Sequence, residues 1–417
     1  MGIKSKLTDL AIFGGPQAFD DKLHVGRPNI GDRQRLMKRL NDILDRKWLT
    51  NDGPYVQEFE RKIADFVGVK HCVVVCNATV GLEIAIRALG LSGEVILPSM
   101  TFIATAHALQ WLNITPLFCD IDPETWNIDP QQVGKMVTPR TTAILGVHLF
   151  GRPCDVDALA ELSQRHNLQL LYDAAHAFGT SVKGHMIGSF GEAEVFSFHA
   201  TKFFNSLEGG AVVTNNEDLA IQMRLMRNFG FAGYDKVISI GTNGKMNEFS
   251  AAMGLTSFES LDDVVEINRQ NYKQYQKELA NLLGVNLIAY DEAERCNFQY
   301  IILRMDEELT HITRDQLVHI LWAENVIARR YFYPGCHRME PYRSLFPRAV
   351  LHLPVTERIA NRLLSLPTGA SMNTQKINWL CAIIRYCVLH GSEIQRMLSQ
   401  QVKISKDRSE KTQDYAS

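Results

Sequence analysis

The sequence predicts an α/β fold, in which a large, mostly parallel mixed sheet is covered by helices, followed by a smaller α+β domain. Helix-like and strand-like segments alternate from about residue 29 to residue 198, the order expected of strands joined by crossover helices. After residue 255 this alternation gives way to a long, charged, helix-rich stretch. We therefore expect a large domain over residues 1–260, a smaller domain over 261–400, and a polar tail over 401–417 that frays.

The elements of the large domain each have their own signal. Apolar residues recur at helical spacing in four segments, 32–47, 54–68, 101–112 and 155–165. Short apolar runs predict strands at 71–76, 94–97, 115–119, 143–147, 168–172 and 193–198. Runs this short and this apolar are typical of strands buried on both faces, as in a parallel sheet.

The smaller domain is predicted from weaker signals. Strand-like segments lie at 298–303 and 329–333, and helix-like segments lie at 314–324, 360–364 and 376–389. Because the order is mixed, this region is expected to form an α+β unit.

Composition excludes several classes of protein. The 417 residues include 44 Lys and Arg against 46 Asp and Glu, a net charge of −2, so binding to nucleic acid or to a membrane by bulk charge is not expected. No apolar stretch reaches the roughly 18 residues that a membrane helix needs. The eight cysteines show no CxxC and no zinc-like spacing, which predicts reduced thiols and no metal site. The first ten residues lack the apolar run of a signal peptide, and a cytoplasmic location is expected.

The most informative segment runs from residue 168 to residue 210. Asp173 ends the apolar strand LQLLY, at the position where α/β enzymes bind ligands. A second strand, EVFSF, contains Ser197 and is followed by Lys202 and a pair of glycines. A lysine, a carboxylate and a hydroxyl at neighbouring strand ends are the groups that a pyridoxal phosphate (PLP) enzyme needs. The lysine forms the Schiff base, the carboxylate keeps the pyridine nitrogen protonated, and the hydroxyl helps to bind the phosphate.

A phosphate also needs free backbone N–H groups, which the start of a helix provides. In CNATVGLEIAIRALG a strand ends at Cys76, Asn77 or Thr79 can cap, and a helix begins near Val80. Caps of this kind are common, but this one lies in the same α/β region as Asp173 and Lys202. It is therefore the expected phosphate site.

These motifs together resemble the DegT/DnrJ/EryC1/StrS family of sugar aminotransferases, which have the fold-type I, aspartate-aminotransferase-like architecture. The segments that carry the resemblance extend in order over residues 30–370 and include NATVGLEIAIRALG, LLYDAAHAFGT, SFHATKFFNSLEGGAVVT and TNGKMNEFSAAMGL. The resemblance implies a PLP-dependent enzyme that moves an amino group from L-glutamate to a nucleotide-linked keto sugar. The sugar is expected to be a dTDP-4-keto-6-deoxyhexose aminated at C4.

The resemblance also implies roles for individual residues. Lys202 would form the Schiff base and shuttle protons, and Asp173 would partner the pyridine nitrogen. The other expected cofactor contacts are His176 beside the ring, Phe102 over the pyridine face, and Thr79, Val80 and Ser197 at the phosphate. Asn243 matches the asparagine that family members send into the neighbouring subunit's phosphate site, which implies a homodimer, although Lys245 stands where arginine is usual.

Substrate contacts are expected from the smaller domain. His337 lies in a segment that family members use near the sugar nucleotide, and a packing role for it is equally open. Arg329 and Arg330 are neighbours on a predicted strand, so only one of them can face the site. The same ambiguity applies to Tyr331 and Tyr333.

Several alternatives remain at this point. Within the family they are amination at C3, a UDP- or GDP-linked sugar, or a sugar dehydratase, although dehydratases replace the Schiff-base lysine with histidine. A PLP-binding sensor without turnover would keep the fold and lose the catalysis. A nicotinamide-dependent dehydrogenase is disfavoured because no GxGxxG follows a strand, and a P-loop is disfavoured because Lys245 is followed by Met246.

Overall fold

A computed structural model describes residues 4–400, so the predicted tail at 401–417 lies outside the described residues. The strands are β1 (Leu23–His24), β2 (His71–Val75), β3 (Glu94–Pro98), β4 (Thr115–Cys119), β5 (Thr141–Val147), β6 (Gln169–Asp173), β7 (Ser181–Val182), β8 (His185–Met186), β9 (Ala193–Ser197), β10 (Gly210–Thr214), β11 (Val285–Leu287), β12 (Ile301–Met305), β13 (Val326–Ile327) and β14 (Leu363–Leu366). The α-helices are α1 (Arg33–Arg46), α2 (Pro54–Val67), α3 (Ala78–Ala88), α4 (Ile103–Trp111), α5 (Pro130–Met136), α6 (Val156–His166), α7 (Glu217–Arg227), α8 (Glu248–Glu259), α9 (Leu261–Glu278), α10 (Glu307–Thr310), α11 (Arg314–Ala323), α12 (Tyr342–Leu345), α13 (Pro354–Ala360) and α14 (Thr374–Leu389).

The large unit is built on a seven-stranded sheet with the order β2-β10-β9-β6-β5-β3-β4. Strand β10 pairs antiparallel with both of its neighbours, and the remaining pairs from β9 to β4 are parallel. The predicted α/β class with a mostly parallel mixed sheet is therefore confirmed. Because six strands run in one direction, their carboxyl ends lie along a single edge, and the loops there can carry a site.

Both faces of this sheet are buried, which explains the short apolar runs in the sequence. Along β2, Val73 and Val75 pack on one face, whereas Cys72 and Val74 pack on the other. Helix α2 covers the second face with Val56, Phe59, Ile63 and Val67, which recur at helical spacing. A strand without an exposed face has no polar alternation to display.

The C-terminal unit has its own antiparallel sheet, β11-β12-β14, and its own apolar core. The predicted helix at 360–364 is wrong, because α13 ends at Ala360 and β14 begins at Leu363. Strand β14 is fully buried and pairs with β12, so the pairing overrides the helical preference of the leucines. The predicted strand at 329–333 is shorter and earlier, since β13 ends at Ile327 and only Arg329 makes a further bridge, to Ser365.

The N-terminal segment packs on the C-terminal unit, which differs from its predicted place in a large domain of residues 1–260. Strand β1 pairs with β13, and Leu10 is fully buried in the C-terminal core. The Lys4 ammonium forms a buried ion pair with Glu324, with a distance of 3.1 Å between Nζ and Oε2. No local pattern in the sequence predicts this packing, because the contacts join residues more than 300 positions apart.

Candidate active site

A cavity of about 390 Å³ opens at the carboxyl edge of the large sheet and is closed on one side by the C-terminal unit. Eight of the eleven predicted site residues line it, namely Thr79, Phe102, Asp173, His176, Ser197, Lys202, Arg329 and Tyr331. The three that do not line it are Val80, Asn243 and His337. The strand order explains why Asp173, Ser197 and Lys202 come together, because β6 and β9 are neighbours in the sheet and both end at this cavity.

Asp173 is the last residue of β6, and its carboxylate is held from two sides. One oxygen accepts a hydrogen bond from the Thr105 hydroxyl at 2.8 Å, and the other accepts one from the Ala175 N–H at 3.1 Å. Burial raises the pKa of Asp173, whereas these two hydrogen bonds and the nearby Lys202 oppose that rise. Sequence reasoning missed Thr105, which is buried on α4, 68 residues away along the chain.

Lys202 lies in the loop between β9 and β10, where its backbone N–H donates to the His199 carbonyl at 2.8 Å. Burial lowers the pKa of Lys202 to about 8, and Asp173 acts in the opposite direction. The amine donates a hydrogen bond to the Tyr300 hydroxyl over 3.2 Å. An amine with this pKa is partly neutral near physiological pH and can act as a nucleophile or a base.

His176 forms part of the buried wall beside Lys202. Its Nδ1 accepts a hydrogen bond from the Phe150 N–H at 3.2 Å, so in the neutral ring the hydrogen is on Nε2. Burial lowers the pKa of His176 well below its usual value, and the Lys202 charge acts in the same direction. The ring is stacked on Phe332 with a centroid distance of 5.6 Å. His176 is therefore a neutral ring inside an aromatic cluster.

The first turn of α3 has the features of an anion site. Asn77 caps this helix, and its side chain accepts a hydrogen bond from the Val80 N–H at 2.9 Å. The Ala78 and Thr79 N–H groups are at positions that have no carbonyl partner within a helix. The Val80 N–H already donates to this cap and Val80 does not line the cavity, so its phosphate contact stays a prediction.

The glycine pair predicted near Lys202 allows the sheet to approach this turn. A Cβ atom on Gly210 would lie 2.7 Å from the Ala78 nitrogen, which is too close for any other residue. Gly210 is paired with Ser197 across β10 and β9, so the serine ends beside the same helix start. The amides of Ala78 and Thr79 and the Ser197 hydroxyl thus lie along one wall of the cavity.

His337 does not line the cavity, and the structure shows it in the packing contacts that the sequence left open beside a substrate role. It is buried, with 2% of its surface exposed, and its Nδ1 lies 2.7 Å from the Ser99 hydroxyl. Its Nε2 lies 2.7 Å from a Glu357 carboxylate oxygen. Both ring nitrogens are therefore occupied in tying the loop after β3 to α13.

The arginine pair is resolved by the geometry. Arg329 is exposed at the cavity, with its guanidinium 5.7 Å from the centre of the Tyr331 ring. Arg330 points away and contacts an Asp315 carboxylate oxygen at 3.2 Å. One of the two faces the site, as the sequence predicted.

Asn243 is exposed and lies away from the cavity of its own chain, in a bridge with Asn228. The nearby Lys245 donates to the Asn228 side-chain oxygen at 3.0 Å and lies 4.6 Å from the centre of the Phe229 ring. A residue in this place cannot complete the cavity of the chain to which it belongs.

The cavity fits PLP in its donor set. It combines a buried carboxylate for a protonated ring nitrogen, an amine of lowered pKa for an aldehyde, and unpaired helix amides with a hydroxyl for a phosphate. Phe102 also fits, because its ring is 57% exposed at the cavity and is free to contact a ligand. Over residues 4–400 there is no cluster of metal-ligating side chains and no helix long and apolar enough to cross a membrane.

Comparison with known proteins places the chain among sugar aminotransferases. It is 35% identical over 367 residues to a dTDP-4-amino-4,6-dideoxy-D-glucose transaminase of Shigella dysenteriae, an alignment that covers 88% of this chain and 99% of the relative. It is 34% identical over 369 residues to the GDP-perosamine synthase of Caulobacter vibrioides, covering 87% of this chain and 97% of the relative.

A solved structure of DesI, determined in the presence of its TDP-sugar product, matches with a TM-score of 0.91 and 50% identity over 94% of this chain and 100% of that one. The fold is thus that of the PLP-dependent sugar aminotransferases, and PLP is the cofactor. The profile of the DegT/DnrJ/EryC1/StrS aminotransferases matches residues 31–385, the span that holds the large sheet and every cavity residue described above. With fold, cavity chemistry and profile in agreement, the chain belongs to the DegT/DnrJ/EryC1/StrS aminotransferase family.

Proposed function

We propose that this protein transfers the amino group of L-glutamate to C4 of a dTDP-linked 4-keto-6-deoxyhexose. The observation that carries the proposal is the Lys202 amine, which shares a cavity with the buried Asp173 carboxylate and has a pKa of about 8. The choice of sugar rests on the relatives, because the Shigella enzyme is named for a dTDP-linked 4-amino sugar and DesI was solved with a TDP-sugar product.

Each residue has a defined task in this proposal. When bound, PLP supplies an aldehyde that condenses with amines and a protonated ring that accepts the electron pair of a deprotonated carbon. Asp173, whose carboxylate accepts hydrogen bonds from Thr105 and the Ala175 N–H, would keep the ring nitrogen protonated. The Ala78 and Thr79 amides and the Ser197 hydroxyl would bind the phosphate. Phe102 and His176 would contact the ring.

Lys202 carries out the proton transfers. With glutamate bound, the free neutral amine would take the proton from Cα; the glutamate nitrogen would stay with the cofactor, and water would supply the oxygen of the 2-oxoglutarate that leaves. With the keto sugar in the cavity, Lys202 would deliver a proton to C4 of the sugar, which would receive that nitrogen and lose its keto oxygen as water. Arg329 and Tyr331, at the mouth of the cavity, are placed to contact an anionic group of the substrates, a carboxylate or a sugar-linked phosphate.

The direct test is a product assay. Holoenzyme is incubated with L-glutamate and, in separate reactions, with dTDP-, UDP- and GDP-linked 4-keto-6-deoxy sugars and a 3-keto isomer. We expect one equivalent of 2-oxoglutarate per amino sugar, with the dTDP-linked 4-keto sugar as the best substrate. A preference for the GDP sugar would move the assignment toward the GDP-perosamine synthase relative and overturn the proposed nucleotide.

The lysine assignment has its own control. Lys202→Ala should keep the fold and lose turnover, whereas Lys183→Ala, at an exposed lysine paired with Asp157, should behave as wild type. Full turnover in Lys202→Ala would refute the mechanism. A cofactor absorption band that does not respond to glutamate in the wild type would instead favour a PLP-binding sensor without turnover.

We also propose that the working unit is a homodimer in which Asn243 serves the partner's phosphate site. Its exposure outside its own cavity supports this, as do the exposed apolar side chains of Phe229, Phe231, Ile238 and Ile240 in the preceding stretch. Mixing Lys202→Ala with Asn243→Ala chains gives hybrid dimers with one intact site. Random exchange should therefore restore about a quarter of wild-type activity. No restoration after verified subunit exchange would contradict shared sites.

A further inference from the structure

The hydroxyl of Tyr300 is the hydrogen-bond partner of the Lys202 amine, and it comes from the C-terminal unit. The two residues are 98 positions apart in the chain, and the distance between Nζ and Oη is 3.2 Å. The Tyr300 ring is buried, with 5% of its surface exposed, and lies 4.5 Å from the His176 ring, centroid to centroid. The Lys202 amine therefore contacts a buried hydroxyl that the C-terminal unit supplies.

The position of this hydroxyl is set by several contacts on the tyrosine. The single O–H of Tyr290 is shared between the Tyr300 carbonyl at 2.8 Å and the Phe150 carbonyl at 3.0 Å, which joins the two units at this point. The Phe150 ring packs on the Tyr300 ring at a centroid distance of 5.5 Å. Because both the backbone and the ring of Tyr300 are held, its Oη has little freedom to follow a moving amine.

The chemistry of the pair favours positioning over proton transfer by tyrosine. Burial raises the pKa of Tyr300 well above its usual value, so the hydroxyl stays protonated while Lys202 titrates near 8. The oxygen accepts one N–H of the amine. Once the amine is neutral, the Tyr300 O–H can donate to Nζ in turn, so the same contact holds the amine in both protonation states of Lys202.

We propose that Tyr300 is a positioning residue that holds the Lys202 amine in place for proton transfer whenever lysine is not covalently engaged. This inference rests on the proposed role of Lys202. The C-terminal unit would then contribute to proton transfer through Tyr300, in addition to lining the cavity with Arg329 and Tyr331.

Tyr300→Phe removes a single oxygen and keeps the buried ring. We expect kcat to fall about tenfold with KM for the sugar nucleotide nearly unchanged, since one hydrogen bond to the reacting amine is lost. In cofactor-free enzyme, the pH midpoint for labelling of Lys202 by fluorodinitrobenzene, read by mass spectrometry, should move down. The reason is that the buried ammonium loses an acceptor, which disfavours its charged form.

Tyr275→Phe is the matched control, because Tyr275 is equally buried in the C-terminal unit but donates to the Pro367 carbonyl, away from the cavity. It should change neither kcat nor the midpoint. If Tyr300→Phe fails to fold, 3-fluorotyrosine placed at position 300 alone weakens the acceptor and should shift both readouts in the same directions by less.

The outcomes separate this inference from the proposed function. If Lys202→Ala retains turnover, the lysine assignment itself fails. If Lys202→Ala is inactive and Tyr300→Phe leaves either kcat or the labelling midpoint at the wild-type value, the positioning role is overturned and the mechanism stands. A fall in kcat together with a lowered midpoint, absent in Tyr275→Phe, supports it.

Discussion

Thr105 offers a sharp test of how the protein keeps Asp173 ionised. Its hydroxyl lies 2.8 Å from the carboxylate and also 2.8 Å from the hydroxyl of Thr101, so Thr101 can donate to Thr105 while Thr105 donates to Asp173. Thr105→Val keeps the shape of the side chain and removes both hydrogen bonds, together with the contact of this hydroxyl with the Phe102 carbonyl at 3.0 Å. A hydrogen bond to a charged group contributes about 1.5 to 3 kcal/mol. We expect PLP to bind about 10- to 100-fold more weakly.

The direction of the pH effect follows from the same contact. The Thr105 hydrogen bond opposes the rise in the pKa of Asp173 that burial causes, so its loss raises that pKa further. PLP binding needs the ionised carboxylate, and affinity is therefore lost as the pH falls through the pKa of Asp173. In Thr105→Val this loss should begin at a higher pH than in the wild type.

The measurement is a fluorescence titration of cofactor-free enzyme with PLP at a series of pH values. Thr105→Ser, which keeps the hydroxyl, should retain most of the affinity and the wild-type pH dependence. If Thr105→Val binds PLP with the affinity and pH dependence of Thr105→Ser, the hydroxyl does not support Asp173, and the reasoning is refuted.

Three further predictions concern stability and titration. Asp120→Ala should lower the free energy of unfolding by about 3 kcal/mol, because it leaves the Val355 and Thr356 N–H groups at the start of α13, and the Thr356 hydroxyl, without their acceptor. Asp45→Ala at an exposed site should have little effect, and equal denaturant midpoints for the two variants would contradict this. His337→Ala should lower the melting temperature and leave KM for the sugar nucleotide unchanged, because His337 is buried and bonded to Ser99. A raised KM without loss of stability would instead support a substrate role for His337. The rate at which cofactor-free enzyme captures PLP, followed by stopped-flow absorbance, should increase as the pH rises and level off above about 8. Burial lowers the pKa of Lys202 to about 8, and only the neutral amine attacks. A midpoint near the ordinary pKa of 10.5 would show that burial does not act on the lysine.

The C-terminal unit shows where prediction from the sequence was weakest. Its strands are short, and two segments were placed wrongly or out of position, at 360–364 and 329–333. Leucine-rich runs of four or five residues fit either a helix or a strand, and the choice falls to the partner that the fold supplies. For β14 that partner is β12.

Local patterns in the sequence were enough to predict the large sheet and the groups at its carboxyl edge. Asp173, Ser197 and Lys202 could be predicted because each stands directly at or after an apolar strand, and parallel strands bring their ends to one edge whatever the rest of the chain does. The same logic located the α3 turn, since a strand followed by a capping asparagine and an apolar helix is a local pattern.

The groups that surround these residues became visible only in the folded chain. Thr105 and Tyr300 reach Asp173 and Lys202 across 68 and 98 residues, and neither has a local signal that separates it from an ordinary core residue. The same holds for the burial of His337, and for Asn77, whose cap takes the Val80 donor. Side-chain hydrogen bonds and pKa values depend on distances of a few ångströms between distant segments, and such distances are set by packing.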